Sequence, residues 1–154
     1  MTLRLSSTAF RDHGPIPQQY TGDGEDIAPP LAIEGVPFGT KSLALVVDDP
    51  DAPDPKRPRP QPFVHWGVYD LPPNTTELSD DELPRGAVEG VNDFGVLGYS
   101  GPKPPTGRHR YVFTLYALDE KLPAGESLTK RDLVSRMEGH VLEKAALVGT
   151  YTRS

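Results

Sequence analysis

Proline and glycine punctuate this chain from one end to the other, and that pattern limits its architecture more than any other feature. The eighteen prolines and fifteen glycines are interleaved with short apolar segments rather than pooled in one low-complexity tract. They read as joints between many short elements, not as disorder. LRLSSTAF, KSLALVVDD, PFVHWGVYDL and RYVFTLYAL are rich in Val, Leu, Tyr, Phe and Thr, and are bounded by clusters such as GDGEDIAPP, DPDAPDPKRPRPQP and LPPN. These are the marks of strands joined by turns and long loops. In SLALVVDD and RYVFTLYAL both alternating sets of side chains are largely apolar, which predicts strands covered on both faces, as in a sandwich with helices or loops packed outside.

One segment has a convincing helical period. In TKRDLVSRMEGHVLEKAALVG the residues Leu133, Val134, Met137, Val141, Leu142 and Ala145 recur near the helical repeat, Thr129 is placed to cap the first turn, and Leu128 can pack on Leu133 as a staple. Gly139 costs about 1 kcal/mol inside a helix and predicts a break near residues 138–140, giving one or two C-terminal helices. The tail GTYTRS reads as a final strand.

Composition narrows function by exclusion. A chain of 154 residues suits one domain spanning residues 1–154. The net charge of -6 and the lack of a basic run beyond the scattered Lys56, Arg57 and Arg59 argue against nucleic acid as a partner. With no cysteine there is no disulfide frame, thiolate nucleophile or thiolate metal site. No apolar run reaches the length of a signal peptide or of a membrane span, so a cytoplasmic location is the expectation.

The strand faces point to chemistry. Period two puts His109 and Tyr111 on one face of RHRYVFTLY and Arg110 on the other; it puts His65 with Phe63, Gly67 and Tyr69, and Trp66 with Val64 and Val68 on the opposite face. Asp49 ends the apolar stripe of Leu43, Leu45 and Val47. Singly, each has a structural reading: His65 as a core histidine, Asp49 and Asp51 as Asx-turn residues, Tyr111 as a core phenol, Arg110 as an ion-pair partner and Ser100 as a loop hydroxyl. A nucleophilic role for Ser100 lacks the GxSxG elbow.

Taken together and in order, VVDDPDAP, FVHWGVYDLP, GVNDFGVLGYSGPKPPTGRHRYVFTLYAL and EGHVLEKAALVGTY, with GDGEDIAPPL upstream, closely resemble the phosphatidylethanolamine-binding protein family, in its small bacterial Raf-kinase-inhibitor-like branch. The resemblance implies a mainly β fold, a Greek-key β-sandwich, with a small anion pocket at one end. Its pocket residues carry over onto Asp49, His65, Gly101, Pro102, His109 and Tyr111, with Arg110 structural, the Gly-Pro loop stiffening one wall and the Gly101 N–H offered to an anion. Imidazole, phenol and backbone N–H then supply donors without a permanent cation, and Asp49 orients a histidine or pairs with a ligand amine. The implied protein is a binding module for a small anionic or phosphorylated ligand, with no cofactor and no enzymatic activity. Family members are linked to inhibition of kinases and serine proteases, so a kinase or a protease is the implied protein partner, and homodimer formation stays open. Two rivals remain: a metal-dependent hydrolase using Asp49, His65 and His109 as ligands, and a pure protein-interaction domain with a vestigial pocket.

Overall fold

The structure, a computed structural model, describes residues 2–54, 56–58, 60–79, 83–102, 107–122 and 128–152. Among these residues eleven strands follow one another as β1 (Arg4–Ser6), β2 (Gly14–Pro15), β3 (Leu31–Glu34), β4 (Ser42–Asp49), β5 (Pro53–Asp54), β6 (Arg57–Pro58), β7 (Phe63–Leu71), β8 (Glu77–Leu78), β9 (Val88–Glu89), β10 (Arg108–Leu118) and β11 (Val141–Thr152), with helix α1 (Lys130–Met137) between the last two. A six-stranded sheet of order β2-β11-β10-β4-β7-β9 carries the long strands, and a three-stranded sheet of order β1-β3-β8 faces it; β5 and β6 form a small ribbon.

The doubly apolar strands are explained by what lies on each side of the large sheet. Leu43, Leu45 and Val47 of β4, with Tyr111, Phe113 and Leu115 of β10, join Leu5, Leu31, Ile33 and Leu78 of the small sheet in one buried cluster. Ala44, Val46 and Leu118 point the other way and join Leu122, Leu128, Leu133 and Met137 in a second cluster beneath α1. Each face of β4 is therefore dry, which is why both of its alternating sets are apolar.

Helix α1 begins where the sequence places its cap. The Thr129 hydroxyl accepts from the Asp132 N–H at 3.3 Å, and Leu128 and Leu133 are buried in the same cluster. It also ends where Gly139 stands, at φ 83°, with the His140 N–H donating to Met137 O at 2.9 Å. A second helix does not follow. Residues from Val141 onward pair with β10 in an antiparallel ladder running from Arg108↔Thr152 to Leu118↔Val141. The helix-forming EKAA run yields to that ladder because a long antiparallel neighbour takes up the segment's inward N–H and C=O groups, apart from the irregularity at Leu142, whereas intrinsic propensity differs by only tenths of a kcal/mol per residue. The final strand foreseen at GTYTRS thus starts well before Gly149.

Candidate functional site

The residues singled out at the strand ends meet on the inner face of the large sheet, at one edge of the first cluster. His109 and Tyr111 open β10 and, two residues apart, share a face; both are fully buried. Asp49 ends β4 and is buried at 3% exposure. Its Oδ2 accepts from His109 Nδ1 at 2.5 Å, while its Oδ1 accepts from the Asp51 N–H at 2.8 Å. Asp49 makes the contact that an Asx turn needs and the contact that a histidine-orienting role would need, one with each oxygen.

His65 arrives by a route that simple alternation does not give. Val47 pairs with Trp66, yet the next residue of β4, Asp48, pairs with Val64. His65 is the extra residue of a β-bulge, and a bulge turns two successive side chains to the same side. The imidazole of His65 therefore packs on Tyr111, with ring centroids 5.2 Å apart at 74°, and Trp66 lies in the same buried cluster as Tyr111, its indole N–H donating to Glu89 Oε2 at 2.8 Å. The separation of His65 and Trp66 onto opposite faces, expected from period two, is corrected by this bulge. Tyr111 thus neighbours two imidazoles, with the His109 ring near-parallel to it at 6.4 Å and 20°.

The two rings are held differently. His65 Nδ1 donates to the Ser100 carbonyl at 2.6 Å, which leaves the lone pair of a neutral ring on Nε2. Burial lowers the His65 pKa, against the upward pull of the Ser100 carbonyl and of the carboxylates of Asp49, Asp48 and Asp26. Burial also raises the Tyr111 phenol above its ordinary value, so it remains a proton donor at any physiological pH.

Gly101 is engaged within the protein, not in the way the resemblance implies. The Gly101 N–H is not offered to an anion; it donates to Asp26 Oδ1 at 2.6 Å. Asp26 reaches it from a left-handed backbone at φ 59°, a conformation that Asp tolerates better than most side chains. A Cβ on Gly101 would come within 2.6 Å of Tyr20 O and 2.9 Å of Thr21 Cα, so glycine is needed for the close approach of the 20–26 loop. Pro102 is buried beside it, and its carbonyl accepts from the Gly22 N–H at 2.8 Å. Residues 103–106 of the stiff loop, and Arg59 of the basic loop, lie outside the described residues.

Arg110 points away from the imidazoles and clamps Asp51, donating to it from Nε at 2.9 Å, from Nη2 at 2.8 Å and from its backbone N–H at 2.9 Å. This fork lowers the Asp51 pKa and fixes the corner after Asp49, so Asp51 acts as an ion-pair acceptor rather than a turn former. Asp49 and His109 share a hydrogen bond instead of converging on a third point, and among the described residues no three His, Asp or Glu side chains are arranged to hold a metal ion. No helix of the described residues is long and apolar enough to cross a membrane.

Three contributors went unread in the sequence. Asp26 was hidden in a turn cluster, Asn92 in a loop, and Phe94 among residues with no periodic partner. Asn92 is buried, and its Nδ2 donates to Gly98 O and to Ser100 Oγ, both at 3.0 Å. The NDFG run was the available signal, since Asn and Asp beside glycine favour a turn closed by the side chain.

Comparison with known proteins gives a uniform answer. The family model of the phosphatidylethanolamine-binding protein matches residues 6–152. A UPF0098 protein of Methanothermobacter thermautotrophicus is 48% identical over 156 residues, covering 98% of this chain and 99% of that protein. The crystal structure of the PEBP homolog CT736 from Chlamydia trachomatis is similar with a TM-score of 0.92 and 41% identity, covering 99% of each chain. That of YbcL from E. coli, described as a member of the mammalian PEBP family, is similar with a TM-score of 0.89 and 30% identity over 100% of both chains.

Proposed function

This chain belongs to the phosphatidylethanolamine-binding protein family, and from that premise we propose that it is a binding module whose ligand carries a small oxyanion, a phosphoryl group above all, held by His65, His109 and Tyr111. The observation that carries the reading is the convergence of two buried imidazoles on one phenol, with a carboxylate on the outer nitrogen of one of them.

Each residue has a defined part. Tyr111 donates its O–H to the anion. Asp49 fixes the His109 ring through Nδ1 and places a countercharge beside it. His65, neutral in the free protein, takes up a proton at Nε2 as the anion enters and so turns from acceptor into donor. Gly101, Pro102 and Asp26 set the wall rather than contact the ligand, and Arg110 holds the Asp51 corner from outside.

Because the donors are imidazoles, anion affinity rises as pH falls from about 8 to 5, the range in which histidine gains its charge. Titrating inorganic phosphate and phosphoethanolamine while following the histidine ring NMR shifts over that range tests the assignment. Both rings are expected to shift on binding, with tighter binding at the lower pH. Phosphate that leaves both imidazoles unperturbed throughout would sink the reading.

A further inference from the structure

Phe94 is 52% exposed, although the turn that carries it is tightly braced. The Asn92 side-chain oxygen accepts from the Phe94 and Val96 N–H groups at 2.9 and 3.2 Å. Next to it, the Asp93 N–H donates to Val64 O at 2.9 Å and the Asp93 carboxylate accepts from the Val64 N–H at 2.8 Å. A turn this well bonded to β7 does not leave its aromatic ring in water for want of order. The ring is held at one place.

That place is the outer end of a file of rings. Phe94 meets Phe63 edge-on at 4.7 Å and His65 at 5.7 Å; Phe63 lies 5.2 Å from His65; His65 in turn lies 5.2 Å from the buried Tyr111. The inner rings carry polar atoms that suit an anion, and the outer two carry none. A bare phosphate would use only the inner part. An ester whose oxygen bears hydroxylated carbons would lose water from those hydroxyls against Phe63 and Phe94 with no donor or acceptor returned by either ring. An apolar ester group would instead gain by covering them.

Building on the anion-binding reading, we propose that Phe94 is a specificity-determining residue, and that the ligand class is a phosphomonoester whose ester oxygen carries an apolar group. The Phe94 ring and its neighbour Phe63 receive that group while the imidazoles and the phenol hold the phosphoryl oxygens.

The test uses inorganic phosphate, n-propyl phosphate and glycerol 1-phosphate, the two esters having equal chain length and charge and differing only in hydroxyls. Kd values are measured by calorimetry or ring NMR for the wild-type protein and for Phe94→Ala and Phe94→Leu. In the wild type the propyl ester is expected to bind about 10-fold more tightly than the glycerol ester, the usual gain from an apolar contact of this size. Phe94→Ala should bring that ratio close to one, and Phe94→Leu should keep most of the preference. Equal binding of the two esters to the wild type, or a preference that survives Phe94→Ala, overturns the role of Phe94 but leaves the anion site standing. Failure of inorganic phosphate to bind removes both.

Discussion

The two buried histidines occupy the same corner of the fold under opposite electrostatic conditions. His109, at the start of β10, is bonded to a carboxylate; His65, at the bulge of β7, is bonded to a backbone carbonyl and ringed by Phe63, Phe94 and Tyr111. A carboxylate brings a countercharge into the interior with the ring, whereas a carbonyl brings only a dipole. Burial accordingly dominates at His65 and lowers its pKa even with three carboxylates acting on it from a distance. The pair shows how one side-chain type is held by a carboxylate on one strand and kept neutral by burial on another.

Removing the carboxylate should break the comparison most severely. Asp49→Ala strips the carboxylate from Nδ1 of a fully buried His109 and leaves the Asp51 N–H unmatched as well. An orphaned buried pair of this kind costs about 3 kcal/mol or more. Asp49→Asn is expected to cost roughly half as much, because its single oxygen can serve only one of the two N–H donors that the carboxylate serves together. Urea denaturation of both variants gives the order. Equal stability of Asp49→Ala and wild type would mean that the carboxylate does not hold His109 in the way its geometry indicates.

A smaller effect separates the histidines by pH. The folded-state pKa of His65 lies below that of the unfolded chain, near 6.5. Between those two values the unfolded chain binds the proton and the folded one does not, so acidification favours unfolding. Stability from this group is complete above pH about 6.5 and is lost as pH falls towards the depressed folded value, by at most about 1.4 kcal/mol per pH unit for one proton. The pH dependence of unfolding free energy in wild type minus that in His65→Gln should show this slope in that window. A difference that is flat, or that slopes the other way, would place the ring in a more charge-tolerant setting than its burial implies.

How much of this was legible beforehand depends on which interactions are local. Strand faces are, and so Asp49, His109 and Tyr111 could be placed from period two, while residue type marked Thr129 as a cap and Gly139 as a break in the helix. The sandwich with both faces of β4 covered was visible in its uninterrupted apolar run. What escaped depends on pairing between distant segments. The bulge that turns His65 and Trp66 to one side exists only in the register of β7 against β4. The conversion of residues 141–148 from helix to strand exists only because β10 offers a partner. The occupied Gly101 N–H depends on a left-handed Asp26 75 residues away, and no window of sequence contains both. The family resemblance carried the fold and the order of motifs, but not which backbone donors are already spent.

The smallest expected effect sharpens the contrast at its neutral end. Ser100 touches His65 through its main chain twice, its carbonyl accepting from Nδ1 and its N–H donating to His65 O at 3.0 Å. Its hydroxyl is directed elsewhere and accepts from Asn92 Nδ2 at 3.0 Å, a donor that also reaches Gly98 O. If a peptide dipole, and not a side chain, is what holds His65, then Ser100→Ala should remove only the second acceptor of an amide that keeps its first. The loss should stay below about 1 kcal/mol, a fall in Tm of no more than roughly 2–4 °C for a chain of this size. The His65 ring shifts and the affinity for phosphate should stay at wild-type values, the latter within about twofold. A displaced His65 resonance or a tenfold weaker phosphate complex in Ser100→Ala would give the hydroxyl a positioning role, and His65 would then resemble His109 in depending on a side chain for its orientation.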